Sequence, residues 1–174
     1  MAENKKKPKL KMDKELDSKE VLCYTNFRLN KKALKHFNKS LPSIENQIAT
    51  IKEDPVYSKD KLDDALDNLL ICYHGLGTCY LNKRNWSKAE KFYTCELNYT
   101  KDLGILTRQA YTYSGLARLH ALRYELLKDN GDKSIQLGLA IDNIKEAIRC
   151  FNWLNDIEKE KMSRRILDDF EKQP

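Results

Sequence analysis

Apolar residues recur every third or fourth position along most of this chain, a spacing that predicts successive amphipathic helices. The clearest covers residues 62–81, with Leu62, Ala65, Leu66, Leu69, Leu70, Tyr73, Leu76 and Tyr80 on one face and Asp60 placed to cap its start. The polar run Asn82, Lys83, Arg84, Asn85 predicts a turn. A second helix over 86–103 then carries Ala89, Phe92, Tyr93, Leu97 and Thr100 as its buried stripe. Gly104 directly follows and suits a left-handed helix terminus. A third helix, 107–127, lines up Ala110, Tyr113, Leu116, Ala117, His120 and Tyr124.

Residues 128–132 read as a loop on their Lys, Asp, Asn and Gly content. A fourth helix over 134–154 runs through Leu137, Ala140, Ile141, Ile144, Ala147, Ile148 and Phe151. The last segment, 157–170, places Met162, Ile166, Leu167 and Phe170 opposite a charged face, as expected of a helix that caps a stack. Ahead of these the spacing predicts a pair of helices, 14–27 and 31–51. Pro42 is expected to break or kink the second by removing a backbone donor.

Composition agrees with an all-α fold. Only 6 Gly and 4 Pro are spread over 174 residues, too few for an all-β chain. At 41% hydrophobic the chain can bury a core, and at 33% charged it must expose long polar faces. Charges interrupt every apolar run before it reaches membrane-span length. Of the formal net charge of +6, residues 1–14 supply six Lys against Glu3 and Asp13. Residues 1–13 read as a basic disordered tail and 14–174 as the helical domain. The near balance of the remainder argues against a domain shaped for nucleic acid, leaving at most a weak, salt-sensitive contact through the tail. With no apolar segment behind the early lysines, an export signal is not expected. The five cysteines are then read as reduced thiols in an intracellular compartment, cytoplasmic or nuclear. Lys6, Lys7 and Lys9 around Pro8 fit a short nuclear-import signal.

A repeat underlies the stripes. Leu76, Gly77 and Tyr80, followed by Ala89 and Tyr93, place small residues where two antiparallel helices would cross and large ones on either side. The pattern returns forty residues on at Leu116, Ala117 and His120, followed by Ala140, Ile144 and Ala147. The small markers are 12 residues apart in the first unit and 23 in the second, so the second unit is expected to have longer helices and a longer loop. Ala33, Phe37 and Ser40, with Tyr24, fit a degraded third copy.

These residues resemble the tetratricopeptide repeat (TPR) superfamily. The stretch from Trp86 through Ala89, Phe92 and Tyr93 to Glu96, Leu97 and Gly104 is similar to its long-repeat group. Thr107 to Arg118 with the enlarged second unit looks most like the N-terminal repeats of Tonsoku-like proteins. The resemblance covers about residues 20–155 and implies a short α-solenoid of helical hairpins acting as a protein-binding scaffold or adaptor. Tonsoku-like kinship would imply replication-linked DNA repair, although the ankyrin and leucine-rich repeats of that family are absent from this chain. In the superfamily the first helix of each unit lines a concave groove. Carried across, the groove positions are Ile71, His74, Thr78 and Asn82, then Tyr111, Ser114 and Arg118. The expected ligand is an extended peptide or short helix, its backbone or acidic side chains bonded by Asn82 and Arg118. Chaperone-binding members hold a terminal carboxylate with Lys and Asn at set positions. His74 and Thr78 stand here instead, which disfavours that role.

No motif points to catalysis, a cofactor or a metal site. Cys72 and Cys79 lie two turns apart, ~10 Å along a helix axis, too far to share a zinc ion. Cys23, Cys95 and Cys150 add no ligand spacing. His36, His74 and His120 have no metal-binding spacing, and His120 takes a packing position of the repeat at the edge of the core. Asp63-Asp64 and Asp168-Asp169 read as solvated, and Gly75-Leu76-Gly77 is mid-helix rather than a phosphate loop. The reading is therefore a non-enzymatic binding protein. The alternative is a small structural subunit of a larger assembly.

Overall fold

The computed structural model describes residues 18–54, 56, 58–128 and 130–173, with only the backbone for residues 18–28 and 130. The expected tail, residues 1–13, with Lys6, Lys7 and Lys9, lies outside the described residues, as do the side chains of Cys23 and Tyr24. Among the described residues the fold is all-α: α1 (Ser18–Glu53), α2 (Lys59–Asn82), α3 (Trp86–Asp102), α4 (Leu106–Leu126), α5 (Asn130–Trp153) and α6 (Ile157–Glu171). Among the described residues no helix is long and apolar enough to cross a membrane.

Each helix packs chiefly on its neighbours in sequence, with a lesser contact between α2 and α4. Neighbours run antiparallel. Cys79 pairs with Asn30 and Cys72 with Phe37 across α1 and α2, while His120 meets Gln136 and Tyr111 meets Phe151 across α4 and α5. Alternating direction makes α2 and α4 parallel, and Arg108 on α4 reaches Asp67 on α2 at 2.8 Å. The core is a series of local clusters along this row.

The small residues of the two clearer expected units are buried. Ala89 and Ala140 are fully enclosed and Ala117 nearly so, and Gly77 lies beneath Tyr93. A Cβ at Gly77 would come 2.7 Å from the Tyr93 ring, and one at Gly115 would come 2.9 Å from it. Both glycines are there to admit the ring.

Three connections share one geometry. After α2, α3 and α5 the chain takes a single left-handed residue, Arg84 (φ 55), Gly104 (φ 68) or Asn155 (φ 54). The next N–H, of Asn85, Ile105 or Asp156, returns to the carbonyl of Tyr80, Thr100 or Phe151 at 2.9–3.0 Å, and that residue begins the following helix. This is the Schellman arrangement, in which otherwise unpaired carbonyls of the last turn are satisfied. Asn85 and Asp156 also cap the next helix, accepting from the N–H of Lys88 and Lys159 at 3.2 Å.

The structure corrects several expectations. In place of the early helical pair there is one 36-residue helix with no break between residues 27 and 31, so Ala33, Phe37 and Ser40 do not belong to a separate hairpin. No Gly or Pro interrupts residues 18–41. The helix also continues through Pro42, which is exposed, while Leu34, Phe37, Leu41, Ile44 and Ile48 pack onto α2 on both sides of it. Water can reach the carbonyl left without its donor on that face. Asp60 does not cap α2: the cap position is Ser58, which makes no side-chain bond, and Asp60 sits in the first turn. There its charge complements the helix dipole. Residues 130–132, expected in a loop, form the first turn of α5, where Asp132 is similarly favourable. The expected longer loop is therefore absent, and of the two helices only the second is longer: α5 has 24 residues against 17 in α3, whereas α4 has 21 against 24 in α2.

A left-handed backbone at Arg84 carries a steric penalty that Gly104 escapes. Arg84→Gly should therefore raise stability by about 1 kcal/mol, read as a higher urea midpoint with an unchanged m-value.

Candidate functional site

The expected groove residues fall in two adjacent depressions that meet at Arg118. The larger, ≈ 940 Å³, lies between α1, α2 and α4. Leu29, Asn30, Ala33 and Phe37 of α1 form one wall, His74, Thr78 and Asn82 of α2 form the floor, and Arg118 of α4 stands opposite. A Cβ at Gly75 would meet the Phe37 ring at 2.4 Å, so this glycine lets the α1 wall close on the floor. Tyr111 and Ser114 instead join Arg118 in a second trough of ≈ 430 Å³ between α4 and α6, walled by Met162, Ile166 and Phe170. Ile71 belongs to neither and borders a smaller hollow against α1 with His36 and Phe37. The α1 wall was not foreseen, because α1 was expected to be two helices.

Beneath the floor is a buried polar assembly. Glu96 of α3 is fully enclosed, and its Oε2 lies 2.9 Å from Nδ1 of His74, whose side chain is 34% exposed. The other oxygen, Oε1, is buried without a hydrogen-bond partner, an arrangement that costs about 1–3 kcal/mol. The His74 ring stands edge-on to Tyr93 at 5.7 Å, and the Tyr93 hydroxyl shares a 3.1 Å hydrogen bond with that of Thr78. Burial pushes the Tyr93 phenol up, while the Thr78 hydrogen bond and the nearby Arg118 charge oppose the shift. His74 and Thr78 are thus fixed from below by α3. His74 Nε2 has no protein partner among the described residues. Sequence reasoning missed Glu96, although it falls on the Ala89–Tyr93–Thr100 stripe at helical spacing, where a charged residue is itself the signal.

The remaining candidates are structural. His120, expected at the core edge, is buried, with Nδ1 2.9 Å from Gln136 Oε1. The Cys72 and Cys79 thiols donate to the carbonyls of Phe37 and Asn30, and burial raises both, as it does Cys150. The Tyr73 hydroxyl donates to Glu45 at 3.2 Å and is shifted up by burial and that carboxylate. Lys159 is raised by its bond to Asp156 and by Tyr111, whose ring lies 5.3 Å from its Nζ. Among the described residues no group of three His, Cys, Asp or Glu is placed to hold a metal ion.

No family model, curated protein or solved structure matches this chain.

Removing the buried carboxylate leaves a cavity and frees the His74 ring, so Glu96→Ala should destabilise the fold by about 2 kcal/mol in urea unfolding. The raised thiols and phenols also set an alkaline limit. The unfolded chain can ionise its thiols near 9.0 and its phenols near 10.0, whereas the folded chain holds those protons more tightly. From about pH 9 upward the unfolded state binds fewer protons than the folded one, and stability should fall as pH rises. A thermal-unfolding series from neutral to alkaline pH checks the slope.

Proposed function

We propose that this chain is a non-enzymatic interaction protein of tetratricopeptide type, which holds a peptide or short helix of another protein in the groove between α1, α2 and α4. The observation that carries the reading is the ≈ 940 Å³ groove itself, with an apolar wall at Leu29, Ala33 and Phe37 facing polar groups at His74, Thr78, Asn82 and Arg118. A ligand segment needs both: apolar side chains to leave water, and donors and acceptors for its backbone. The parallel course of α2 and α4, antiparallel packing between chain neighbours and buried Gly77, Ala89, Ala117 and Ala140 support the repeat reading. Kinship with Tonsoku-like scaffolds rests on the sequence resemblance alone.

One observation favours the structural-subunit reading: Trp153 is 80% exposed and lies near exposed Ile157 in sequence at the α5–α6 turn. An assembly would cover such side chains. Under that reading partner capture would be lost on Trp153→Ser and kept when the groove is altered.

The test is a pull-down from the source cell with wild type and the double variant Asn82→Ala/Arg118→Glu. Both positions are exposed, so the fold should survive, and partners should be lost from the variant. Equal recovery of every partner by both proteins removes the groove reading.

A further inference from the structure

A separate depression of ≈ 700 Å³ opens where the turn between α2 and α3 comes up against α1. Leu34 of α1 and Tyr80 of α2 supply its apolar surface, and Lys83, Arg84 and Lys88 line it with three cations. A fourth, Lys31, is exposed one helical turn from Leu34 on the same side of α1. Among the described residues no carboxylate lines the depression, and none of the four cations is in an ion pair. The adjoining stretches, residues 21–44 and 68–89, contain no Asp or Glu, and the next acid on α3, Glu90, is drawn toward Arg123 of α4. Two of the cations are set in place by their surroundings. Lys88 Nζ lies 5.2 Å from the centroid of the Tyr80 ring, which is itself stacked on Phe92 at 5.7 Å. Arg84 takes the left-handed position (φ 55) of its turn. At the two other turns of this geometry the position belongs to Gly104 and Asn155, types that tolerate it, so Arg84 stands there against a steric cost that the turn itself does not require. A strained residue points to a use for its side chain, and this side chain lines the depression.

We propose that this depression binds a compact ligand bearing two or more phosphate groups, a conclusion independent of the groove reading above. A phosphate monoester carries about −1.5 to −2 charges at neutral pH, so two of them match the four cations. Charge-assisted hydrogen bonds hold the phosphate oxygens, with Arg84 donating as a planar fork and the lysines acting as point charges. The apolar surface of Leu34 and Tyr80 beside them focuses the field. A nucleic-acid strand fits less well, because it needs cations spread along a track and aromatic faces open to its bases. Here the cations gather about one turn of chain, and the Tyr80 ring is already stacked on Phe92. An acidic peptide brings one charge per carboxylate and would have to crowd four acids into the same space.

The test is calorimetric titration of the full-length chain with pyrophosphate and with inorganic phosphate. Pyrophosphate should bind at least about tenfold tighter than phosphate. Arg84→Gly and Lys88→Ala should each weaken it at least about fivefold. Because Arg84→Gly is also expected to stabilise the fold, its loss of binding cannot be ascribed to unfolding. Lys39→Ala, further along α1 and off the Leu34 face, should leave the affinity within about twofold. The six Lys of residues 1–14 remain in every variant, so binding that resides there would survive Arg84→Gly and Lys88→Ala alike. A second arm uses phosphatidylcholine vesicles carrying about 5% of a bisphosphorylated inositol lipid. Vesicle binding that Arg84→Gly removes assigns a lipid headgroup, and pyrophosphate binding without vesicle binding assigns a soluble ligand. Binding of neither, equal affinity for phosphate and pyrophosphate, or wild-type affinity in both Arg84→Gly and Lys88→Ala overturns the site. A single-stranded oligonucleotide or a Glu-rich peptide that binds more than about tenfold tighter than pyrophosphate overturns the choice of a small phosphorylated ligand.

Discussion

Tyr93 lies where three helices meet, and the space for its ring is made by glycines on two of them. Gly77 on α2 and Gly115 on α4 each approach so closely that even a methyl group would collide with the ring. A side chain of that size, almost wholly enclosed, sets the spacing of α2, α3 and α4 at once. Ala89, one turn earlier on α3, lets the same helix settle close to its neighbours. The groove follows from this placement. Its floor residues His74 and Thr78 are the ones that touch the Tyr93 ring and hydroxyl from α2.

The polar chemistry under the groove carries an energetic burden that apolar packing would not. A carboxylate wholly out of water needs partners for both oxygens, and Glu96 has one. Apolar side chains of similar volume would often be as stable at such a position. In return the imidazole of His74 is held in one orientation at the groove floor.

Most of the architecture was legible in the chain because it depends on local, periodic causes. The 3.6-residue spacing of apolar positions located α2, α3, α4 and α6 to within a few residues, and Gly104 marked the end of α3 by its backbone freedom. Expectations failed where a local signal was ambiguous. Pro42 looks like an interruption until the apolar residues on both sides are seen packed on α2, and Asn130, Gly131 and Asp132 suit a loop and a first helical turn equally well. Arg84 takes the same left-handed turn as Gly104 without a residue type that announces it, whereas Asn155 is of a type that tolerates it.

By itself the sequence determined the all-α class, the succession of helices from α2 onward and which of their faces are apolar, since periodicity and turn chemistry act between residues close along the chain. It also named His74, Thr78, Asn82 and Arg118 as groove positions. Only the tertiary structure decided that α1 closes over them, that Tyr111 and Ser114 face a separate trough, and that Glu96 is sealed beneath His74. Those outcomes depend on distances between residues far apart in sequence, and such distances exist only once the helices have packed.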